Sequence, residues 1–307
     1  MREGDSAKEA PFVSVVIATF NRKALLFRCL ESLLELDYPP ERLEIVVVDD
    51  GSCDGTADLI SRESKLKEGR IKYLRNAENR GAAASRNMGF SKACGELIVS
   101  LDDDCQVGKS WLKDLVGTFE DFPDASAVGG SVVNPTVSAL AQASHILEFS
   151  SWLPLGGPRR VKDIPACNIG YRSSAVKGLV FPEEFRGAVY EDALFNHYLT
   201  RAGRAIIFNP KVSVKHYKWS QDFEKNDFYE SQTRYAIGFL RGGFKVHGIW
   251  GELLIKYRFL NLLCLRLVLV FSRCLKSPVY LSQFIRHIGL IFGGEWHRGR
   301  IIYRGSD

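Results

Sequence analysis

No two cysteines of the chain form a C-x-x-C pair: the seven, at Cys29, Cys53, Cys94, Cys105, Cys167, Cys264 and Cys274, are odd in number and scattered. Such spacing suggests neither a zinc ribbon nor a dithiol redox motif, and it reads as reduced thiols in a cytoplasmic protein. No G-x-G-x-x-G follows the first apolar run, which removes the usual signature of a dinucleotide-dependent oxidoreductase. A bilayer-spanning helix needs about 20 mostly uncharged residues, and the apolar segment from Leu253 to Leu275 is broken by Lys256, Arg258, Arg266 and Arg273. The N-terminus shows no basic segment followed by an apolar core and a cleavage site, so no secretion signal is expected. Repeats and low-complexity stretches are missing as well, and residues 1–11 read as a flexible leader.

What is present is the composition of a folded globule, 46% hydrophobic and 25% charged over 307 residues. That suffices for one large domain, or for a domain of about 200 residues with an appendage. The formal charge of +5 is unevenly spread, because beyond Arg241 the basic residues face only Glu252, Glu295 and Asp307. An asymmetry of this kind suits an anionic partner. From Trp219 to Phe292 the pattern is helical and increasingly apolar, which favours lipid over nucleic acid: a helix lying in the membrane interface keeps its Lys and Arg heads in the headgroup layer. A helical cap packed on the preceding domain is the other reading of residues 221–307.

From Phe12 to Val133, short β-branched runs alternate with helical patterns. Strands are expected at Val13–Ala18, Leu43–Val48, Ile71–Leu74, Glu96–Leu101 and Ala127–Val133, and Leu26, Leu30, Leu33 and Leu34 share one face of an intervening helix. Ile45 to Val48 are apolar at every position rather than every second one, as in a strand covered on both faces. The expected fold is therefore α/β, a mostly parallel doubly wound sheet with helices on both faces. In such sheets ligands bind beyond the carboxyl ends of the strands. Polar residues collect at those ends: Thr19-Phe20-Asn21, Asp49-Asp50-Gly51-Ser52 and Asp102-Asp103-Asp104.

Three adjacent carboxylates repel one another unless a cation arrives, so the Asp triplet is a candidate site for Mg²⁺ or Mn²⁺. A strand running into an Asp-capped turn is the simpler alternative. Asp54 and Thr56 are candidate caps of the following helix, and a carboxylate at Asp49 or Asp50 could accept from a base N–H. The segment from Asn79 to Gly89 puts small residues and Arg86 on the first turns of a helix, which suits a phosphate or simply close packing on the sheet. Glu191-Asp192 opens a further helical stretch, and His216 ends the alternating run that begins at Val212. A histidine near a carboxylate-bound cation is a plausible further ligand.

Taken in order from Phe12 to His216, these motifs resemble the inverting glycosyltransferases of family 2, which have the GT-A fold and use a nucleotide-diphosphate sugar. The resemblance implies a catalytic domain over residues 12–220, with a nucleotide half at 12–108 and an acceptor half at 109–220. It implies that Thr19, Phe20, Asn21, Asp50, Arg86, Asp102 and Asp103 bind the donor, with Asp50 reading a uracil or equivalent base. Asp104 is the first choice of metal ligand, joined by His216 and Asp102, for Mn²⁺ or Mg²⁺. Asn168 and Glu191 fall on the acceptor or sugar side, and Asp192 matches the general base. Tyr198 stands where many relatives carry Arg, and the Q-x-x-R-W signature of processive polymerases is absent, which argues for transfer of one or a few sugars.

The expected partners are a nucleotide-diphosphate sugar and a glycan or lipid-linked acceptor, with no nucleic acid. The expected place is the cytoplasmic face of a membrane, touched peripherally through the C-terminal region. A sugar nucleotidyltransferase would carry a Gly-rich basic loop where Thr19-Phe20-Asn21-Arg22 stands. A phosphatase would carry its Asp-x-Asp on the first strand. A non-catalytic nucleotide-sugar or lipid-binding protein is the remaining alternative.

Overall fold

The computed structural model describes residues 9–66, 70–183, 191–218, 294–297 and 300–303. The chain opens with β1 (Val13–Thr19), α1 (Lys23–Leu34), β2 (Leu43–Asp49), α2 (Thr56–Leu66), β3 (Ile71–Arg75), α3 (Ala82–Lys92) and β4 (Leu97–Asp102). It continues through β5 (Cys105–Val107), α4 (Trp111–Asp121), β6 (Ala125–Val133), α5 (Ala139–Phe149), β7 (Arg159–Val161), β8 (Asn168–Arg172), α6 (Ser173–Val176), α7 (Glu191–Arg201) and β9 (Ala205–His216). One sheet runs in the order β3-β2-β1-β4-β8-β6-β9-β5, with β7 also on β9. Its first four strands are parallel, and the register sets Thr19 beside Asp49 and Ala18 beside Asp102, so three polar strand ends finish together.

Beyond β4 the sheet becomes mixed, since β8 runs antiparallel to both β4 and β6 while β6 and β9 are parallel. The parallel pattern read from the sequence thus holds for the first half, where α1, α2 and α3 carry the crossovers between β1, β2, β3 and β4. Strand β9 is longer than the alternation from Val212 suggests. Asn209-Pro210 interrupts the pattern, and the β6 pairing shifts register between Gly130 and Val132. A proline inside a strand is accommodated at an irregularity of this kind.

Helices cover both faces. On one, Leu26, Leu30 and Leu33 of α1 and Trp111, Leu112 and Leu115 of α4 belong to one core with Val13, Val15 and Ile17. Complete burial of each such leucine contributes roughly 1.5–3 kcal/mol. On the other, Ala83 of α3 and Phe195 and Leu199 of α7 belong to a second core with Val16, Val46 and Val48. A Cβ at Gly89 would stand 2.3 Å from Val16 Cγ1, so the small residues of α3 bring that helix down onto the sheet. The close-packing reading of Asn79 to Gly89 is therefore correct for Ala83 and Gly89, while Arg86 serves the site described below.

Ala10 and Pro11 do not belong to a flexible leader, because their carbonyls accept from Arg42 Nε (2.7 Å) and the Tyr38 hydroxyl (2.6 Å). Among the described residues no helix is long and apolar enough to cross a membrane. The helical reading of residues 221–307 lies almost wholly outside the described residues. Its described part is not helical: β10 (Gly294–His297) and β11 (Arg300–Tyr303) form an antiparallel pair with Trp296 opposite Ile301, a pairing of aromatic and β-branched residues that suits a sheet.

Candidate active site

Two adjoining cavities of about 530 and 210 Å³ lie beyond the carboxyl ends of β1, β2 and β4. They share Arg22, Arg86, Asp102 and Glu191 as a common wall. The larger is lined by Thr19, Phe20, Asp50, Arg80, Gly81 and Asp103; the smaller by Asp104, His216, Asp192, Cys167, Trp152 and Lys218. Residues distant in sequence meet there because strand ends and helix starts gather at the same edge of the sheet, with Trp152, Asp163 and Lys218 brought in from outside the strands.

On the side of the larger cavity, Asp50 anchors the loop that opens α3. Its Oδ1 accepts from Asn76 Nδ2 (2.7 Å) and the Arg80 amide (2.9 Å), and its Oδ2 from the Gly81 amide (2.7 Å). Two of the amides near that helix start are thus already taken by a carboxylate, a favourable partner for the positive end of a helix. Asp49 is fully buried: Oδ1 accepts from the Ser52 amide (2.7 Å) and Oδ2 from the Tyr73 hydroxyl and Arg75 Nη1. Burial opposes its ionisation, yet these donors hold its carboxyl below the usual range. The Asp49-Asp50 pair is in this way divided between a structural anchor and a residue on the cavity wall. Asp54, read as a cap, receives the Thr56 amide at 3.2 Å and the Lys23 amide at 2.8 Å, tying together the starts of α2 and α1.

The Asp triplet splits three ways. Asp102 is the most exposed and pairs with Arg86 Nη2 at 2.9 Å; Asp103 accepts from the Thr19 hydroxyl at 2.7 Å; Asp104 meets His216 Nε2 at 2.8 Å. Arg22 Nη1 reaches both Asp103 (3.1 Å) and Asp104 (3.0 Å). Burial, with Asp104 beside it, pushes Asp103 up to about 7. For Asp104 burial acts in the same sense, but His216 and Arg22 outweigh it and hold the carboxyl at about 2. Burial disfavours the His216 cation, yet Asp104 raises the ring to about 9. Asp102, Asp104 and His216 each bring one ligand atom within 4.8 Å of the others. Two carboxylates and an imidazole fit Mn²⁺ or a similar hard to borderline divalent cation.

Arg86 is buried between two carboxylates, with Nη2 on Asp102 and Nη1 on Glu191 Oε1 at 2.6 Å. Its guanidinium fork suits this two-sided bridging. Glu191 and Asp192 open α7, where Asp192 Oδ2 accepts from the Ala166 amide (3.0 Å) and Oδ1 from the Ala193 amide (2.8 Å). Burial, helped by Glu191 and Asp163, pushes Asp192 up to about 7, a range suited to a proton acceptor near neutral pH.

Two sequence expectations change. Asn168, assigned to the acceptor side, is fully buried and lines neither cavity. Its Oδ1 accepts from Trp111 Nε1 (3.0 Å), and its Nδ2 donates to the Ser131 (3.0 Å) and Val212 (2.8 Å) carbonyls. It therefore locks α4, β6 and β9 together, and its neighbours Ala166 and Cys167 line the smaller cavity instead. Asn168→Ala should cost roughly 3 kcal/mol by leaving buried partners unpaired, read as a lower urea midpoint with unchanged slope. Asn21, assigned to the donor, is exposed at φ +52° and outside both cavities; its Oδ1 accepts from the Cys53 amide at 2.8 Å and its own amide donates to Ser52 Oγ. It joins the loops after β1 and β2. Tyr198 is exposed and lines neither cavity.

Sequence reasoning did not assign Arg22, Glu148, Trp152, Asp163 or Lys218 to the site. Lys218 pairs with Glu148 at the smaller cavity, and Asp163 accepts from Asn196 Nδ2 at 2.7 Å. Arg22 alone carried a signal, one residue beyond the polar end of the first strand.

The profile of glycosyl transferase family 2 matches residues 14–179. Among curated proteins, the probable glycosyltransferase YdaM of Bacillus subtilis is 28% identical over 243 residues, 76% of this chain and 56% of that one. The chain spans about two fifths to just over half the length of the first curated relatives it matches. Among solved structures, the mannosyltransferase PcManGT from Pyrobaculum calidifontis in complex with GDP-Man and Mn²⁺ aligns with TM-score 0.58 at 19% identity, over 92% of this chain and 75% of that one. Staphylococcus aureus TarS 1–349 in complex with UDP aligns with TM-score 0.55 at 22% identity, over 92% and 80%. Those likenesses establish a shared fold, and with the profile match over more than half of its length, the chain belongs to glycosyl transferase family 2.

Proposed function

We propose that the chain is an inverting, non-processive glycosyltransferase that moves a sugar from a nucleotide-diphosphate donor, a UDP-sugar by preference, to a hydroxyl of a glycan or lipid-linked acceptor. One observation carries this reading: two cavities meet at Arg86, with donor-type residues Thr19 and Asp50 in one and Asp192 in the other. In the proposed reaction Asp192 takes the proton of the acceptor hydroxyl as its oxygen attacks the anomeric carbon. The bond to the diphosphate breaks on the opposite face, and the configuration inverts. Arg86 offsets charge on the departing diphosphate, and Glu191 and Asp102 hold its guanidinium in place. Asp104, His216 and Asp102 would hold the divalent cation, which when bound supplies further positive charge for that leaving group.

The UDP of TarS supports a uridine donor, and the GDP-Man of PcManGT supports testing a guanosine one beside it. A thermal-shift screen of UDP- and GDP-sugars with and without Mn²⁺ tests both, since a ligand at 100 times its Kd stabilises the folded state by about 2.7 kcal/mol. A UDP-sugar should raise Tm only with Mn²⁺, and Asp104→Ala should lose that dependence; stabilisation by GDP-sugars alone would overturn the uridine preference. Release of nucleoside diphosphate on adding acceptor then separates an enzyme from a binder.

The proposed location is the cytoplasmic face of a membrane, with the basic, apolar residues beyond Arg241 making the contact. The full chain should float with anionic vesicles at low salt and less so at high salt or with zwitterionic ones. Equal behaviour with both lipids would remove the contact.

A further inference from the structure

We propose that Cys105, Cys167 and His216 form a site for a thiophilic divalent ion such as Zn²⁺, which shares its histidine with the carboxylate group of Asp102 and Asp104. Strand pairing sets Cys105 of β5 directly opposite His216 of β9, and Cys167 immediately precedes β8. Each of the three offers one ligand atom, and these atoms lie within 4.8 Å of one another. All three residues are buried, yet Cys167 and His216 lie on the wall of the smaller cavity, which gives an ion a way in.

The donor set decides which ion fits. Two thiols and an imidazole are the ligands of Zn²⁺ and of softer ions such as Cd²⁺, whereas Mg²⁺ and Mn²⁺ prefer the oxygens of Asp102 and Asp104. Binding replaces the two thiol protons and the imidazolium proton that Asp104 holds on His216: both sulfurs become thiolates, the ring becomes neutral, three protons pass to solvent and no electron moves. The spacing of Cys105 and Cys167 in the sequence, 62 residues apart, conceals a pair that only the strand pairing brings together.

A neutral imidazole has a single acceptor nitrogen, so His216 serves one ion at a time. An ion on the thiols therefore weakens cation binding at Asp104 and is itself weakened by that cation, since such coupling is reciprocal. This competition rests on the cation site of the proposed function; the thiol site does not. Its consequence is inhibition by a thiophilic ion without any contact to the donor.

The test uses the reduced full chain carrying Cys53→Ser, Cys94→Ser, Cys264→Ser and Cys274→Ser, titrated with Cd²⁺ alone. A thiolate-to-cadmium charge-transfer absorption should saturate at one ion per chain. Cys167→Ala and, independently, Cys105→Ala should weaken binding by about 100-fold or more, with circular dichroism verifying that each is folded. In the unsubstituted chain, Cd²⁺ should protect Cys105 and Cys167 from alkylation as mapped by mass spectrometry. An absent band, equal binding by the folded variants, or unprotected thiols would overturn the site. Bound Mn²⁺, followed by electron paramagnetic resonance, should be displaced by Cd²⁺ from the parent but not from Cys167→Ala. Undisturbed Mn²⁺ beside a saturated cadmium band would overturn the sharing of His216. Failure of every protein to bind Mn²⁺ would count against the cation site of the proposed function and leave the cadmium result standing.

Discussion

Asp192→Asn should lower turnover by roughly 10² to 10⁴-fold while leaving donor affinity nearly unchanged, because the residue lies in the smaller cavity, away from Thr19 and Asp50. Asparagine keeps the shape and an oxygen for the Ala166 amide, but it cannot accept the proton of an attacking hydroxyl. The paired measurements are nucleoside diphosphate release and calorimetric titration of the donor; undiminished release would remove Asp192 from the role. Burial holds the Asp192 carboxyl at about 7, and in the proposed role it works deprotonated. Wild-type kcat/KM should accordingly rise with pH and level off above about 7. The same shift has a stability counterpart. A carboxyl that binds its proton more tightly in the folded state than at its unfolded value of about 3.9 favours folding at low pH. That contribution is lost as pH rises through about 7, and Asp192→Asn should remove this part of the slope.

The second large effect is expected at Arg86. Arg86→Met removes the positive partner of Asp102 and Glu191 and leaves two carboxylates without it. Breaking a buried ion pair from one side costs roughly 3–5 kcal/mol, a loss that urea unfolding would register as a markedly lower midpoint. Arg86→Lys should recover only part of it, since a point charge cannot reproduce the two-sided fork. Adding Glu191→Gln to Arg86→Met should restore stability relative to the single variant, and the double-mutant cycle gives the coupling. Additive losses would show that Glu191 and Arg86 do not support one another. Donor binding should weaken in Arg86→Met even under conditions where it remains folded.

The first half of the fold was legible because a parallel strand covered on both faces is apolar throughout and breaks its pattern only where it meets the ligand edge. Ile45 to Val48 running into Asp49, and Leu97 to Leu101, apolar but for Ser100, running into Asp102, mark those edges without knowledge of a partner strand. The same logic misled at Asn168. A polar residue in an apolar run signals either a cavity wall or a buried bridge, and only the positions of Trp111, Ser131 and Val212 decide between them. Trp152, Asp163 and Lys218 enter through loops and the antiparallel half, where contacts between distant segments leave no local period. The meeting of Asp102, Asp104 and His216 was anticipated from the family resemblance, whereas Arg22 as their neighbour follows from the turn after β1.

The partition between the two chambers separates what can be altered from what cannot. Phe20 and Arg80 front only the larger chamber, and Trp152 and Lys218 only the smaller. On the proposed assignment of donor to the larger chamber and acceptor to the smaller, directed evolution of nucleotide preference would concentrate on the first pair, and of acceptor choice on the second, with the dividing guanidinium and its two carboxylate props left alone.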